Sequence, residues 1–216
     1  MSNYECSLQG VVVGHEQKEK LIQRLIGLCG NDAMSDLFEH ELVFIPSTQT
    51  PIGPARNDDV VLRLQSRINN QKEMSIKYRQ WYLCMQGNPE PQRQRTVTVR
   101  PISRVQLSGD IFRYMKSLGY SFSFDVVKKG HLLAYDKIIK VTVFQLYKLK
   151  KINVETAVHI GQEDMWIIEV TTAPVLQEQV NQMAEHLNKF KNLMIGIVDL
   201  EHVDIRALQN KIHYTN

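Results

Sequence analysis

Six basic side chains are the residues of this sequence whose type and spacing could do chemistry. They are Arg63, Arg67, Lys77, Arg79, Arg100 and Arg104. Guanidinium and ammonium groups at alternating strand positions point to one face, where they can bind phosphate or the carboxylates of an acidic partner. Tyr78, Trp81 and Tyr82 lie among them and could stack bases of a single strand. The pattern allows an anion-binding or nucleic-acid-binding face, and equally an ordinary solvated strand face.

The positive charge of the chain is concentrated in two segments. From Arg56 to Arg104 ten basic residues stand against four acidic ones, and from Asp125 to Lys151 seven lysines stand against two aspartates. The whole chain of 216 residues carries only +3, so the remainder is acidic. Such segregation favours an acidic partner or phosphate, although a solvated surface would give the same pattern.

The patterns of metal centres and nucleophilic catalysis do not occur in the sequence. Cys6, Cys29 and Cys84 are widely spaced, and their odd number gives neither a disulfide framework nor a zinc site. His15 and His40 each precede a glutamate, but no second histidine follows at the spacing of a zinc protease. We expect three reduced thiols in a cytosolic or nuclear protein, and no catalytic residue, metal or cofactor.

Alternation of polar and apolar residues runs through most of the chain and predicts about ten strands and three helices. The predicted strands span residues 4–13, 37–45, 60–65, 76–83, 96–107, 120–128, 130–135, 138–149, 155–160 and 165–172. The predicted helices are His15–Cys29, Ser108–Leu118 with Ser108 as N-cap, and a long helix after Pro174. We also expect a short helix over Asp199–Lys211.

The long helix after Pro174 carries an apolar stripe. Val180, Met183, Leu187, Phe190 and Met194 lie at i, i+3, i+7, i+10 and i+14, which places them on one side. Burying each of them contributes about 1.5–3 kcal/mol, whereas a surface pair contributes about 0.2–0.5 kcal/mol. Packing therefore decides where this helix lies, and we expect it on a sheet or on a partner.

Many strands joined by short turns indicate an antiparallel sheet large enough to close, because closure removes edges that invite aggregation. We predict a β-rich α+β fold with a single antiparallel β-barrel domain over residues 1–216 and helices outside it or at its ends. The proline-rich segments 46–57 and 86–94 are predicted mobile loops. We expect neither a membrane span nor a secretory signal, since no window of 18 apolar residues and no basic n-region occur.

The barrel prediction limits where the six basic residues can point. Desolvating several cations in a dry barrel would cost several kcal/mol per ion. We therefore expect them to face water, a wet lumen or an acidic partner. Tyr78 and Tyr82 share the alternation of Ile76, so we expect both rings in the core rather than against bases.

The strand–helix–strand order of the first 45 residues, with short runs further on, resembles the Mediator complex subunit 18 family. The runs are Val61-Leu62-Arg63, Gly119-Tyr120, Val127–Leu132, Ala173-Pro174, Ala184–Leu187 and Asp199–Asp204. The resemblance implies a β-barrel and a non-enzymatic nuclear subunit of the Mediator head module, which links regulators to RNA polymerase II. It also implies a heterodimer with Mediator subunit 20 and a bound C-terminal helix of Mediator subunit 8.

The barrel of that family is similar to the triphosphate-tunnel enzymes, which hold a divalent metal and phosphate with Glu-x-Glu-x-Lys on a strand. If Glu5 matched the first glutamate, Ser7 and Gln9 would follow it, so one carboxylate remains where two are needed. On the predicted strand over residues 165–172, Glu169 has Ile167 and Thr171 at the neighbouring positions of the same face, so this strand also offers only one carboxylate. We therefore favour an interaction subunit, with a nucleic-acid-binding barrel as the alternative and a metal-dependent triphosphatase behind it.

Overall fold

The computed structural model describes residues 3–47, 60–91, 96–149, 157–204 and 208. Its strands are β1 Asn3–Val13, β2 Ser35–Pro46, β3 Leu62–Arg67, β4 Trp81–Gln86, β5 Thr98–Leu107, β6 Tyr120–Tyr135, β7 Ile139–Leu149, β8 Ala157–His159 and β9 Met165–Thr172. Its α-helices are α1 His15–Cys29, α2 Ile111–Ser117 and α3 Val180–Leu193. Residues 48–59 and 92–95 lie outside the described residues. They include most of the predicted loop 46–57 and the last three residues of the predicted loop 86–94.

The strands form one antiparallel sheet that closes on itself. Its order is β6-β2-β3-β4-β5-β1-β9-β7, and β6 also pairs with β7, so eight strands make a barrel. The short strand β8 pairs with the end of β7 outside this ring. The predicted antiparallel β-barrel with external helices is thus confirmed. None of the helices in the described ranges has the length and apolar character needed to cross a membrane.

The hydrophobic core lies between the outer wall of the barrel and the helices. Cys6 and Leu8 of β1 are fully buried there. The side chain of Glu5, on the other face of the same strand, lines the lumen. Successive strand residues face opposite sides, so β1 presents Cys6 and Leu8 to the outer core and Glu5 to the lumen. A second cluster packs Ile111 and Met115 of α2 against the outer side of β2, β3 and β4.

Helix α3 lies on the outer side of β1 and β9. The residues of its apolar stripe are all 7% exposed or less: Val180, Met183, Leu187, Phe190 and, just after the helix, Met194. The ring of Phe190 contacts Tyr135 of β6 edge-on, with 5.1 Å between centroids. The stripe thus holds the helix against the barrel wall.

The predicted strand over residues 76–83 begins later than expected. Residues Ile76–Tyr78 form a 3₁₀ turn, β4 starts at Trp81, and Tyr78 is 62% exposed, so its predicted place in the core is wrong. The physical reason is Arg79, which donates from Nε to the Glu73 carbonyl (2.6 Å) and from Nη2 to the Met74 carbonyl (2.7 Å). These bonds favour turns over a ladder in the preceding residues.

Three further boundaries differ from the sequence prediction. Asp110, not Ser108, caps α2, because Gly109 has a φ of 93° and the Asp110 carboxylate accepts from the Arg113 amide at 3.0 Å. The two strands predicted over 120–135 are one strand, β6. Residues 199–204, at the start of the predicted terminal helix, are not helical.

Residues 199–204 instead run beside β1. The amide and carbonyl of Glu201 bond to the carbonyl and amide of Gln9, each at 2.8 Å, and the Val203 amide donates to Thr98 Oγ1 at 3.0 Å. This segment adjoins β1 next to the place where its pairing with β5 ends, at Ser7 and Thr98. It therefore extends the wall of the barrel.

Gly10 makes this close approach possible. A Cβ at Gly10 would stand 2.6 Å from the Asp199 carbonyl oxygen and 2.9 Å from Val198 Cγ2. We expect Gly10→Ala to destabilise the protein by about 1–3 kcal/mol, because the backbone must move away. Urea unfolding of the variant measures this. The matched control is Gly27→Ala in α1, where a Cβ meets nothing within 4 Å and alanine should stabilise by about 0.5–1 kcal/mol. Equal effects at the two sites would contradict the packing account.

Candidate functional site

The lumen of the barrel is lined by charged side chains around a cavity of about 250 Å³. Its described lining includes four glutamates and five cations: Glu5, Glu39, Glu41, Glu169, Arg63, Arg100, Arg104, Lys128 and Lys140. These residues occupy the strand positions that alternate with the apolar outer face. Because buried charges are costly unless they are paired, the pairing of these groups decides what the lumen can do.

Lys128 of β6 is the centre of the paired part of the lumen. Its Nζ lies 3.5 Å from Glu169 Oε2 and 4.0 Å from Glu39 Oε1, and 4.8 Å from the centroid of the Phe144 ring. Burial acts to lower the pKa of Lys128, but Glu169 and Glu39 outweigh it and raise that pKa. Lys128 in turn lowers the pKa of Glu169 against the effect of burial. Both groups are therefore charged at neutral pH.

A second pair adjoins the first. Arg63 Nε lies 3.2 Å from Glu41 Oε1, and Gln65 Nε2 donates to the other Glu41 oxygen at 2.8 Å. The Cys84 thiol donates to Gln65 Oε1 at 3.1 Å, and burial raises the pKa of Cys84 to about 11. This thiol is thus protonated and unreactive at neutral pH, and none of the three cysteines forms a disulfide.

The remaining lumen charges are Glu5, Arg100, Arg104 and Lys140. Burial, then Glu169, raises the pKa of Glu5, although Arg100 and Lys140 act in the other direction. Burial lowers the pKa of Arg100, whose Nε is buried and has no hydrogen-bond partner among the described residues. Arg104 packs over the Tyr82 ring with its Cζ 4.4 Å from the centroid. This part of the lumen holds more positive than negative charge.

The six basic residues singled out in the sequence do not share one surface. Arg63, Arg100 and Arg104 line the lumen. Arg67 lies on the exposed end of β3 and donates to the Asp36 carbonyl at 2.9 Å. Lys77 and Arg79 lie at a separate cavity of about 780 Å³ beside α2. The structure therefore divides them between two cavities and one strand end.

Arg79 belongs to a buried polar cluster that the sequence did not reveal. His40 Nε2 lies 2.9 Å from Asp125 Oδ2 and its Nδ1 lies 2.5 Å from Arg79 Nη1; His40 is 0% exposed and Arg79 7%. Since arginine can only donate, Nδ1 accepts, and the Nε2–H group donates to Asp125. His40 is thus neutral, and burial, with the Arg79 charge, lowers its pKa despite Asp125.

The buried His40 cluster predicts that the stability of the protein falls as the pH is lowered. The unfolded chain binds a proton at His40 near the ordinary pKa of 6.5, and the folded chain binds it only at lower pH. The stability from neutral His40 is therefore present above pH 6.5 and is lost as the pH falls below it. We expect the free energy of unfolding to fall more steeply with acidification in the wild type than in His40→Gln, by up to about 1.4 kcal/mol per pH unit.

Urea unfolding at several pH values between neutral and mildly acidic conditions measures this difference. The pKa of His131 is also lowered by burial, but His131 is present in both proteins and its contribution cancels. Parallel curves of stability against pH for the two proteins would contradict the assignment of a neutral His40.

The two glutamates that correspond to metal-binding positions of the triphosphate-tunnel enzymes share the lumen. Glu5 and Glu169 both line it, and Gln9 Nε2 donates to Glu169 Oε1 at 3.0 Å. The side chain of Gln9 therefore neutralises no charge there and instead fixes the orientation of Glu169. Across the part of the chain that the structure describes, no group of three or more His, Cys, Asp or Glu residues is placed to hold a metal ion.

Comparisons with known proteins agree with this architecture. A family model described as Med18 protein matches residues 4–211. Mediator of RNA polymerase II transcription subunit 18 from Schizosaccharomyces pombe is 27% identical over 184 residues, which cover 80% of this chain and 86% of that protein.

Two solved structures show the same fold. A chain in the structure of the Schizosaccharomyces pombe Mediator head module matches with a TM-score of 0.75 and 25% identity, over 93% of this chain and 98% of that chain. A Mimivirus capping enzyme triphosphatase matches with a TM-score of 0.52 and 10% identity, over 89% of each chain. The second likeness is one of fold alone.

Proposed function

The chain belongs to the Med18 protein family, and from this we propose that it is a structural subunit of the Mediator coactivator complex. The observation that carries the proposal is the match to a chain of the Mediator head module over nearly the whole length of both chains. In this role the barrel is a scaffold within the head module, and it acts in the regulation of transcription by RNA polymerase II in the nucleus.

We further propose that the partners are Mediator subunit 20, as a heterodimer, and a C-terminal helix of Mediator subunit 8. Exposed apolar side chains on the outside of the barrel support docking of other chains. Tyr114 on α2 and Leu118, the residue that follows this helix, are 42% and 38% exposed, and Phe122 on β6 is 40% exposed. Aromatic side chains of this kind are enriched among residues that dominate binding energy at interfaces.

We propose that the subunit is not an enzyme. The lumen carboxylates of Glu39, Glu41 and Glu169 are engaged by lysine or arginine side chains of the chain itself, so a divalent metal would compete with these cations. We therefore expect no metal-dependent release of phosphate from tripolyphosphate. If the wild type released phosphate from tripolyphosphate and Glu5→Gln did not, the result would overturn this proposal in favour of the triphosphatase alternative.

Reconstitution tests the partner assignment. The full chain is mixed with Mediator subunit 20 and the C-terminal segment of subunit 8, and light scattering after size exclusion gives the mass. We expect one copy of each component in one species at near-physiological salt. The change Phe122→Ser should weaken assembly if α2 and β6 form the interface, whereas Val11→Ser, at a residue 52% exposed on β1, should not. Separate elution of all three wild-type components would refute the partner proposal.

A further inference from the structure

The two parts of the lumen differ in charge balance. Lys128 is neutralised by Glu169 and Glu39, and Arg63 by Glu41, at distances of 3.2–4.0 Å. This part therefore holds three carboxylates and two cations, so it carries no excess of positive charge. Arg100, Arg104 and Lys140 then share one carboxylate, that of Glu5, in the same cavity. The excess positive charge is therefore confined to one part of the lumen.

None of these three cations is held in a close ion pair by the described residues, although Glu5, Glu169 and Glu41 act on Arg100 at longer range. No ion pair within 4 Å joins Arg100, Arg104 or Lys140 to any carboxylate of the described residues. The Arg100 Nε–H group is buried without a hydrogen-bond partner there, and a buried donor left in this state destabilises the fold. A bound ion or water is one way in which native proteins complete such a group.

We propose that this part of the lumen is a binding site for a small phosphate-class oxyanion, held by Arg100, Arg104 and Lys140. Guanidinium forks suit tetrahedral oxyanions because their N–H groups match the spacing of two oxygens. The cavity of about 250 Å³ corresponds to roughly eight waters at about 30 Å³ each. It therefore has room for a hydrated phosphate or diphosphate group and not for a strand of nucleic acid.

Glu5 gives the site an internal test, because it acts against the proposed ligand. Its carboxylate faces the same cavity, and the groups around it are Glu169 on β9, Arg100 on β5, Lys140 on β7 and Lys128 on β6. An anion brought next to Arg100 is repelled by charged Glu5. Removing the Glu5 charge should therefore strengthen anion binding, whereas removing a cation should weaken it.

Isothermal titration calorimetry of the full chain with inorganic pyrophosphate, at neutral pH, fixed ionic strength and without divalent metal, tests the site. We expect saturable binding by the wild type. The double change Arg100→Gln and Lys140→Gln should weaken it about tenfold or more, and Glu5→Gln should strengthen it severalfold. The matched control removes two exposed cations outside the lumen, Lys77→Gln with Lys116→Gln, and should leave the affinity unchanged.

Parallel titrations distinguish the source of the phosphate group. Tighter binding of pyrophosphate than of O-phosphoserine indicates a free inorganic ligand, and the reverse order indicates a phosphorylated side chain; either supports the site. If the double variant fails to fold, the opposite shift of Glu5→Gln still decides. Absence of saturable binding by the wild type, or an equal loss in the Lys77→Gln and Lys116→Gln control, would overturn the proposal.

Discussion

Replacing Lys128 with methionine should destabilise the barrel by about 3–5 kcal/mol, because it leaves buried carboxylates without their counter-charge. Lys128 Nζ is the shared partner of Glu169 and Glu39, and its ammonium holds the pKa of Glu169 below the ordinary 4.5. Methionine is unbranched and apolar and is only one atom shorter than lysine, but it removes the ammonium that pairs with the carboxylates and lies over the Phe144 ring, so the change tests the loss of that charge. Urea unfolding at neutral pH measures the loss.

Two comparisons make this result specific to the lumen. Lys20→Met removes a cation from an exposed pair with Glu16 in α1 and should cost less than about 1 kcal/mol. Adding Glu169→Gln to Lys128→Met should recover part of the stability, since one uncompensated charge disappears. The contribution of the pair requires ionised Glu169, so it is present above pH 4.5 and is lost as the pH falls through the lowered pKa. A cost at Lys128 no larger than at Lys20 would contradict the paired lumen.

The change Phe190→Ala in α3 should destabilise the protein by about 3–5 kcal/mol. Phe190 is 0% exposed and packs between the barrel wall and the ring of Tyr135, so alanine would leave a cavity that the neighbouring strands cannot fill. The measurement is the free energy of unfolding in urea, with circular dichroism showing that the folded state is kept.

The control for α3 is Leu193→Ala, at the last residue of the same helix. Leu193 is 38% exposed, and a substitution at such a position usually changes stability by about 0.5 kcal/mol or less. If both variants lost the same stability, the loss would come from helix propensity rather than packing, and the stripe would not anchor α3 to the barrel.

Local periodicity explains what could be predicted from the sequence. The spacing of Val180, Met183, Leu187 and Phe190 follows from one helix and needs no knowledge of the rest of the chain. The alternation in β1 likewise distinguishes Glu5 from Cys6 as members of opposite faces. Strand number and short turns then favour closure, and the observed ring of strands agrees with that expectation.

The candidate site depends on contacts that periodicity does not encode. Alternation assigns two faces to a strand but does not say which one lies inside, so the lumen positions of Arg63, Arg100 and Arg104 followed only from the closed sheet. His40 and Asp125 are 85 residues apart and meet because β2 pairs with β6. The Arg79 bonds to the Glu73 and Met74 carbonyls overrode the strand pattern that had placed Tyr78 in the core.

Purification of the tagged full chain from nuclear extract of its own organism, followed by size exclusion and mass spectrometry, tests the central claim most directly. The account predicts that the chain elutes in one large particle with the other subunits of the Mediator head module in equal amounts. Recovery of the chain at the size of a lone protein, free of Mediator subunits and releasing phosphate from tripolyphosphate, would contradict it.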